Sequence, residues 1–101
     1  MPKLYEYLGI IIYFWSKEHE PIHVNGGYQG KESKAELCIE GGKVIEIKLL
    51  KVKGRRPLDP AELKNFEIFV NQNADRIVQK WIDYFVLHKK VKFEKVTRKL
   101  K

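Results

Sequence analysis

Three hydrophobic patterns follow one another along the chain. LGIIIYFW, residues 8–15, is an unbroken apolar run rich in β-branched and aromatic side chains, which reads as a buried strand. AELCI (35–39) and VIEIKLL (44–50) alternate instead: Ala35, Leu37 and Ile39 share one face of the first, and Ile45, Ile47 and Leu49 one face of the second. From Leu63 onward the period changes. Leu63, Phe66, Val70, Ala74, Ile77, Trp81 and Phe85 recur every three or four residues, and Phe69, Val78 and Ile82 widen the stripe. LDPAEL (58–63) supplies the entry signal, with Asp59 as N-cap, Pro60 at the first helical position and Glu62 three residues after the cap. The stripe predicts one helix over residues 60–88, with a break near Asn73 as the alternative. Proline at Ala74 should be severely destabilising in either case.

Shorter signals fill the gaps. Pro21 and Asn25-Gly26-Gly27 interrupt the chain, leaving IHV (22–24) as a short strand. Register decides the expected turn at Gly41-Gly42. A two-residue loop in a regular ladder sets Leu37 against Glu46, whereas a three-residue Glu40-Gly41-Gly42 loop sets Leu37 against Ile45 and Ala35 against Ile47. The second is predicted, with Gly42 left-handed and Cys38 opposite Val44. VKFEKV (91–96) alternates and then loses the pattern, as an edge strand or a partner-binding arm would. The expected fold is α+β: a small antiparallel sheet of about four strands packed on one long C-terminal helix. Residues 1–88 form the expected domain and 89–101 a basic extension.

Composition narrows the class. A length of 101 residues fits one domain, and an apolar content of 44% fits a packed core. The longest apolar run is too short to span a bilayer, so no membrane role is expected. The single cysteine, Cys38, and the lack of a signal-peptide pattern point to a reducing, cytoplasmic setting. The net charge of +7 is unevenly placed. Residues 48–56 carry five basic and no acidic side chains, and residues 89–101 carry seven basic and one acidic. Lys51, Lys53, Arg55 and Arg56 in the first segment, and Lys89, Lys90, Lys92, Arg98 and Lys99 in the second, are the candidate contacts for nucleic acid.

HEPIH (19–23) fits H-E-x-x-H, the zinc-protease signature. That motif needs a helix to bring both histidines to one face. Pro21 removes a donor inside the motif and pushes Glu20 out of helical geometry, so a metalloprotease is excluded and no metal or cofactor is expected. His19 and His23, with Glu18 and Glu20 beside them, are instead candidate acid–base residues.

GIIIYFWS, EHEPIHV, AELCI and the helical EL…N-x-x-x-I-V-x-x-W (Glu62, Leu63, Asn73, Ile77, Val78, Trp81) together resemble a family of small bacterial proteins labelled a domain of unknown function. The resemblance covers most of residues 1–85. It matches His19, Pro21 and His23 to the family's H-x-P-[PI]-H-[VF]-H loop, while Asn25 stands where that loop commonly has a third histidine. It implies a small α+β domain, gene neighbours of the toxin–antitoxin kind, and for some members a transcriptional-regulator label. It brings no established chemistry.

Three functions follow as expectations. The first is a binding component of a toxin–antitoxin-like or regulatory module that contacts nucleic acid through its basic segments. No helix-turn-helix pattern supports sequence-specific duplex reading. The second is an RNA-cleaving toxin, with His19 and His23 as acid and base and Arg55 or Arg56 clamping the phosphate. The third is a protein–protein module that binds a small partner from an adjacent gene or a second copy of itself.

Overall fold

The computed structural model describes residues 2–14 and 22–100. The leading elements are strands β1 (Lys3–Tyr7), β2 (Ile10–Tyr13), β3 (His23–Tyr28), β4 (Lys31–Glu40) and β5 (Lys43–Lys51). Helices α1 (Pro60–Gln72) and α2 (Ala74–Trp81) follow, then a π-helical turn over Ile82–Val86 and strand β6 (Glu94–Val96). The six strands form one sheet in the order β5-β4-β3-β2-β1-β6. All neighbours are antiparallel except β1 and β6, which are parallel.

This corrects the expected architecture of about four antiparallel strands on one long helix. The sheet is mixed and has six strands, and the helical segment is divided. The run at 8–15 is not one strand, because Leu8 and Gly9 take left-handed backbone angles and turn the chain from β1 into β2. Nor does Asn25-Gly26-Gly27 end β3, which runs through it to Tyr28. Each of the three tight hairpins, at Leu8-Gly9, Gln29-Gly30 and Gly41-Gly42, has two left-handed residues, the geometry that matches strand twist.

The third hairpin also corrects the predicted register. Its loop is two residues long, with Glu40 opposite Lys43. A bulge on β5 then shifts the pairing, so Ile39 faces Val44, Cys38 faces Glu46, Leu37 faces Ile47 and Ala35 faces Leu49. The demand that apolar faces match is met by extruding Ile45, which is 60% exposed, rather than by lengthening the turn.

The helical break lies at Asn73. Its backbone amide and its side-chain Nδ2 both donate to the Phe69 carbonyl, each at 3.0 Å. An asparagine side chain that competes for a backbone acceptor weakens a helix interior, and Asn73 accordingly leaves helical geometry at φ −117°, ψ 18°. The apolar stripe continues across the break because Ile77 donates back to the Asn73 carbonyl at 2.9 Å.

Both helices pack on one face of the sheet. Phe66, Phe69, Val70, Ile77 and Trp81 meet Tyr5, Tyr7, Ile10, Ile12, Val24, Ala35 and Leu37 in one buried cluster. Gly26 sits beneath Phe66, and a Cβ there would lie 2.7 Å from the ring. At the helix entry Asp59 is the N-cap, but its carboxylate makes no cap hydrogen bond and instead pairs with Lys31 Nζ at 2.6 Å. The chain after the helices returns across the sheet to β6. Lys80 holds it there: its Nζ donates to the Lys92 carbonyl at 2.8 Å, pairs with Glu94 at 3.0 Å and lies 5.0 Å from the centre of the Tyr5 ring.

Two stability outcomes follow. Gly26→Ala should destabilise by about 1–3 kcal/mol through overpacking against Phe66. The break corrects the expectation for Ala74: it is the first residue of α2, where proline is well tolerated, so Ala74→Pro should cost only about 1 kcal/mol, from strain at the preceding Asn73. Glu67→Pro, inside α1, should cost about 3 kcal/mol or more. Urea midpoints of the three variants check both statements.

Candidate nucleic-acid interface

Alternation along the strands assigns the second face of the sheet, away from the helices. Register places Ile11 and Tyr13 of β2, Asn25 and Gly27 of β3, and Glu32 and Lys34 of β4 on it. Glu32 is a carboxylate only 5% exposed, and Asn25 is 2% exposed. A buried charge of this kind persists only when paired. Asn25 Nδ2 donates to Glu32 Oε2 at 2.7 Å, Arg55 Nε lies 3.5 Å from Glu32 Oε1, and the Tyr13 hydroxyl donates to the same carboxylate. Asn25 Oδ1 is buried without a hydrogen-bond partner among the described residues.

A cleft of about 340 Å³ opens beside this cluster. Ile11, Tyr13 and Gly27 line it, Tyr28 borders it, and Lys3, Lys31 and Arg55 supply its cations. The Tyr28 ring lies across the Leu8-Gly9 turn, where a Cβ on Gly9 would come within 2.9 Å of it. The loop carrying Arg55 and Arg56 is pinned to the sheet at several points. The Glu32 amide donates to the Arg56 carbonyl at 2.7 Å, the Leu58 amide to Ser33 Oγ at 3.1 Å, and Arg55 reaches the Gly30 carbonyl at 3.4 Å.

Strand direction sorts the basic residues named from sequence. β1, β3, β5 and β6 run toward the same end of the sheet, the one carrying the Leu8-Gly9 and Gln29-Gly30 turns. Lys51, at the end of β5, and Lys53, Arg55 and Arg56 just beyond it lie at that end. Arg98 and Lys99 follow β6 to the same end, where the Leu100 amide donates to the Tyr7 hydroxyl at 2.8 Å. Six strands set the two groups roughly 24 Å apart. Lys51, Lys53, Arg56, Arg98 and Lys99 are exposed and hold no ion pair among the described residues. Lys89, Lys90 and Lys92 precede β6 and lie at the opposite end.

His23 begins β3, half-buried, with Glu36 beside it on β4 and Lys48 beyond on β5. His19 lies outside the described residues, as do Glu18, Glu20 and Pro21 of the same loop. The length of β3 separates His23 from the Arg55–Arg56 loop by roughly 16 Å, so the two do not converge on one phosphate. Among the described residues no group of three or more His, Cys, Asp or Glu side chains is arranged to hold a metal. No helix there is long and apolar enough to cross a membrane.

Of the residues around the cleft, the charge pattern of the sequence points to Arg55 but not to Tyr13, Tyr28, Asn25, Glu32, Lys3 or Lys31. The available signal was an acidic residue, Glu32, two positions after the turn glycine Gly30. Only the register, which seats it near Asn25 and Tyr13, makes that signal meaningful.

The carboxylate has a titration consequence. Burial, then the hydrogen bond to Glu32, raises the Tyr13 phenol well above its ordinary value of 10.0. Burial, then the charge of Glu94, raises Tyr5 to about 12. Both phenols hold their protons more tightly in the folded state. Stability is therefore full below pH 10 and is lost as pH rises from there through the folded values. Phenolate absorbance should lag behind that of a denatured control above pH 10. Glu32→Gln, checked for folding by circular dichroism, should release one tyrosine to ionise earlier.

A family model described as a domain of unknown function (DUF4160) matches residues 9–82, from the β1–β2 turn to the start of the π-helical turn. β1, β6 and the basic tail lie outside the match. No curated protein and no solved structure matches the chain. With most of its length matched, the chain belongs to the DUF4160 family.

Proposed function

We propose that this protein is a nucleic-acid-binding component of a toxin–antitoxin-like or regulatory module. The basic end of its sheet binds phosphates, and the tyrosine-lined cleft beside that end receives an unpaired base. The observation that carries this reading is the common placement of two basic segments distant in sequence. Lys51, Lys53 and Arg56 from one and Arg98 and Lys99 from the other lie at one end of the sheet, exposed and without ion pairs among the described residues. Such cations bind a polyanion largely by releasing its condensed counterions. Tyr13 and Tyr28 give the adjoining cleft an aromatic character, and base stacking on aromatic side chains is tolerant of sequence. Single-stranded RNA or DNA is therefore the favoured ligand.

Fluorescence anisotropy with a labelled single strand, repeated over a range of salt concentrations, tests the reading. Lys53→Ala/Arg56→Ala/Lys99→Ala should reduce the slope of log affinity against log salt by about 2, near 0.7 for each phosphate contact removed. Lys89→Ala/Lys90→Ala/Lys92→Ala, at the other end of the sheet, should leave the slope close to that of the wild type. An equal loss in both triple variants would mean that net charge alone drives binding. No binding at low salt would end the proposal.

A further inference from the structure

β5 is an edge strand of nine residues, paired with β4 on one side only. An edge of that length presents a row of unpaired backbone donors and acceptors, which natural sheets usually blunt with lysines, bulges or shortness. The other edge, β6, is short, with three residues. β5 has lysines and a bulge, yet it also leaves Ile45 60% and Leu50 37% exposed. Its sequence, KVIEIKLLK, has a further property: the central charges, Glu46 and Lys48, are complementary to themselves about Ile47.

We infer that β5 is the docking edge for a second copy of this chain, the two strands pairing antiparallel about a two-fold axis at Ile47. In that register Ile47 faces the partner's Ile47, and Ile45 faces the partner's Leu49. Glu46 faces the partner's Lys48 and, by symmetry, Lys48 faces the partner's Glu46. The partner's Leu49 thereby covers the exposed Ile45, and the bulge there ends the regular register, since Val44 beyond it lies on the face opposite to Leu50. A lysine-only edge would repel a second strand. Here the glutamate two residues before Lys48 turns the same repulsion into two cross-strand ion pairs. An antiparallel two-fold contact is isologous, so it closes as a dimer and does not propagate, and it joins two six-stranded sheets into one. A contact confined to one pair of strands is small beside standard interfaces, so the dimer should be concentration-dependent. It is independent of the nucleic-acid reading, since none of the pairs that set its register uses the cleft.

Analytical ultracentrifugation of the full chain over a concentration series reads the outcome. Wild type should shift from monomer to dimer. Glu46→Lys sets like charges opposite each other at two symmetry-related places and should weaken dimerisation by about tenfold. Glu46 is exposed, its partner on β4 is Cys38, and it holds no ion pair among the described residues, so the fold should tolerate that change. Glu46→Lys/Lys48→Glu should recover much of the dimer. In a Cys38→Ser background, mild oxidation should cross-link Ile47→Cys to its own symmetry mate but not Lys43→Cys, because self-opposed Cα atoms fall within disulfide reach and the others do not. A wild type that stays monomeric at every concentration overturns the inference. So does a dimer that Glu46→Lys leaves intact and Ile47→Cys fails to cross-link.

Discussion

The close approach of Phe66 to Gly26 sets the distance between the two layers. β3 is an inner strand of the sheet, and Gly26 lies in it directly under α1. With no Cβ in the way, the Phe66 ring descends onto the backbone and the helix settles close to the sheet. That closeness lets Phe69 reach both Tyr5 and Tyr7, with ring centres 4.9 Å away in each case. It also lets Trp81 and Phe85 form an aromatic group with Phe14 at the end of β2. Interiors packed at crystal-like density do not adjust to an added carbon at such a point, so the whole helical layer depends on one missing side chain.

A second dependence runs through Glu32. Its backbone amide holds the Arg56 carbonyl and its carboxylate lies against Arg55, so one residue of β4 fixes the basic loop in two ways. The carboxylate is nearly buried, and Asn25 and Tyr13 share the burden of keeping it there. Its negative charge offsets one cation of the cleft rim. What remains is a shaped basic surface with a polar interior, and not a diffuse positive patch. The proposed binding role rests on that shape as much as on the net charge of +7.

The tail follows the same logic at the opposite edge. Lys80 reaches from α2 to the Lys92 carbonyl and the Glu94 carboxylate, and its ammonium lies near the Tyr5 ring. A segment whose composition resembles a solvated extension is thereby drawn into the sheet as β6, parallel to β1. The lysine is 13% exposed, so its ion pair is less screened than a surface pair would be. With β6 paired to β1 and the Leu100 amide bonded to the Tyr7 hydroxyl, Arg98 and Lys99 reach the same end of the sheet as Lys51 and Arg56.

What the sequence determined by itself was local: the alternation of β4 and β5, the helix entry at Asp59-Pro60, and the phase of the apolar stripe from Phe66 to Trp81. These are properties of neighbouring residues and of periods of two and 3.6, which need no knowledge of the rest of the chain. The tertiary structure decided the rest. Asn25-Gly26-Gly27 has the composition of a breaker, yet it is an inner strand because Phe66 needs the space above Gly26. The bulge at Ile45 was hidden because a slipped register can be repaired in the turn or in the strand, and packing chose the strand. The candidate site was the least legible part. Tyr13, Asn25, Glu32 and Arg55 come from four separate places in the chain, and only long-range strand pairing brings them to one cleft.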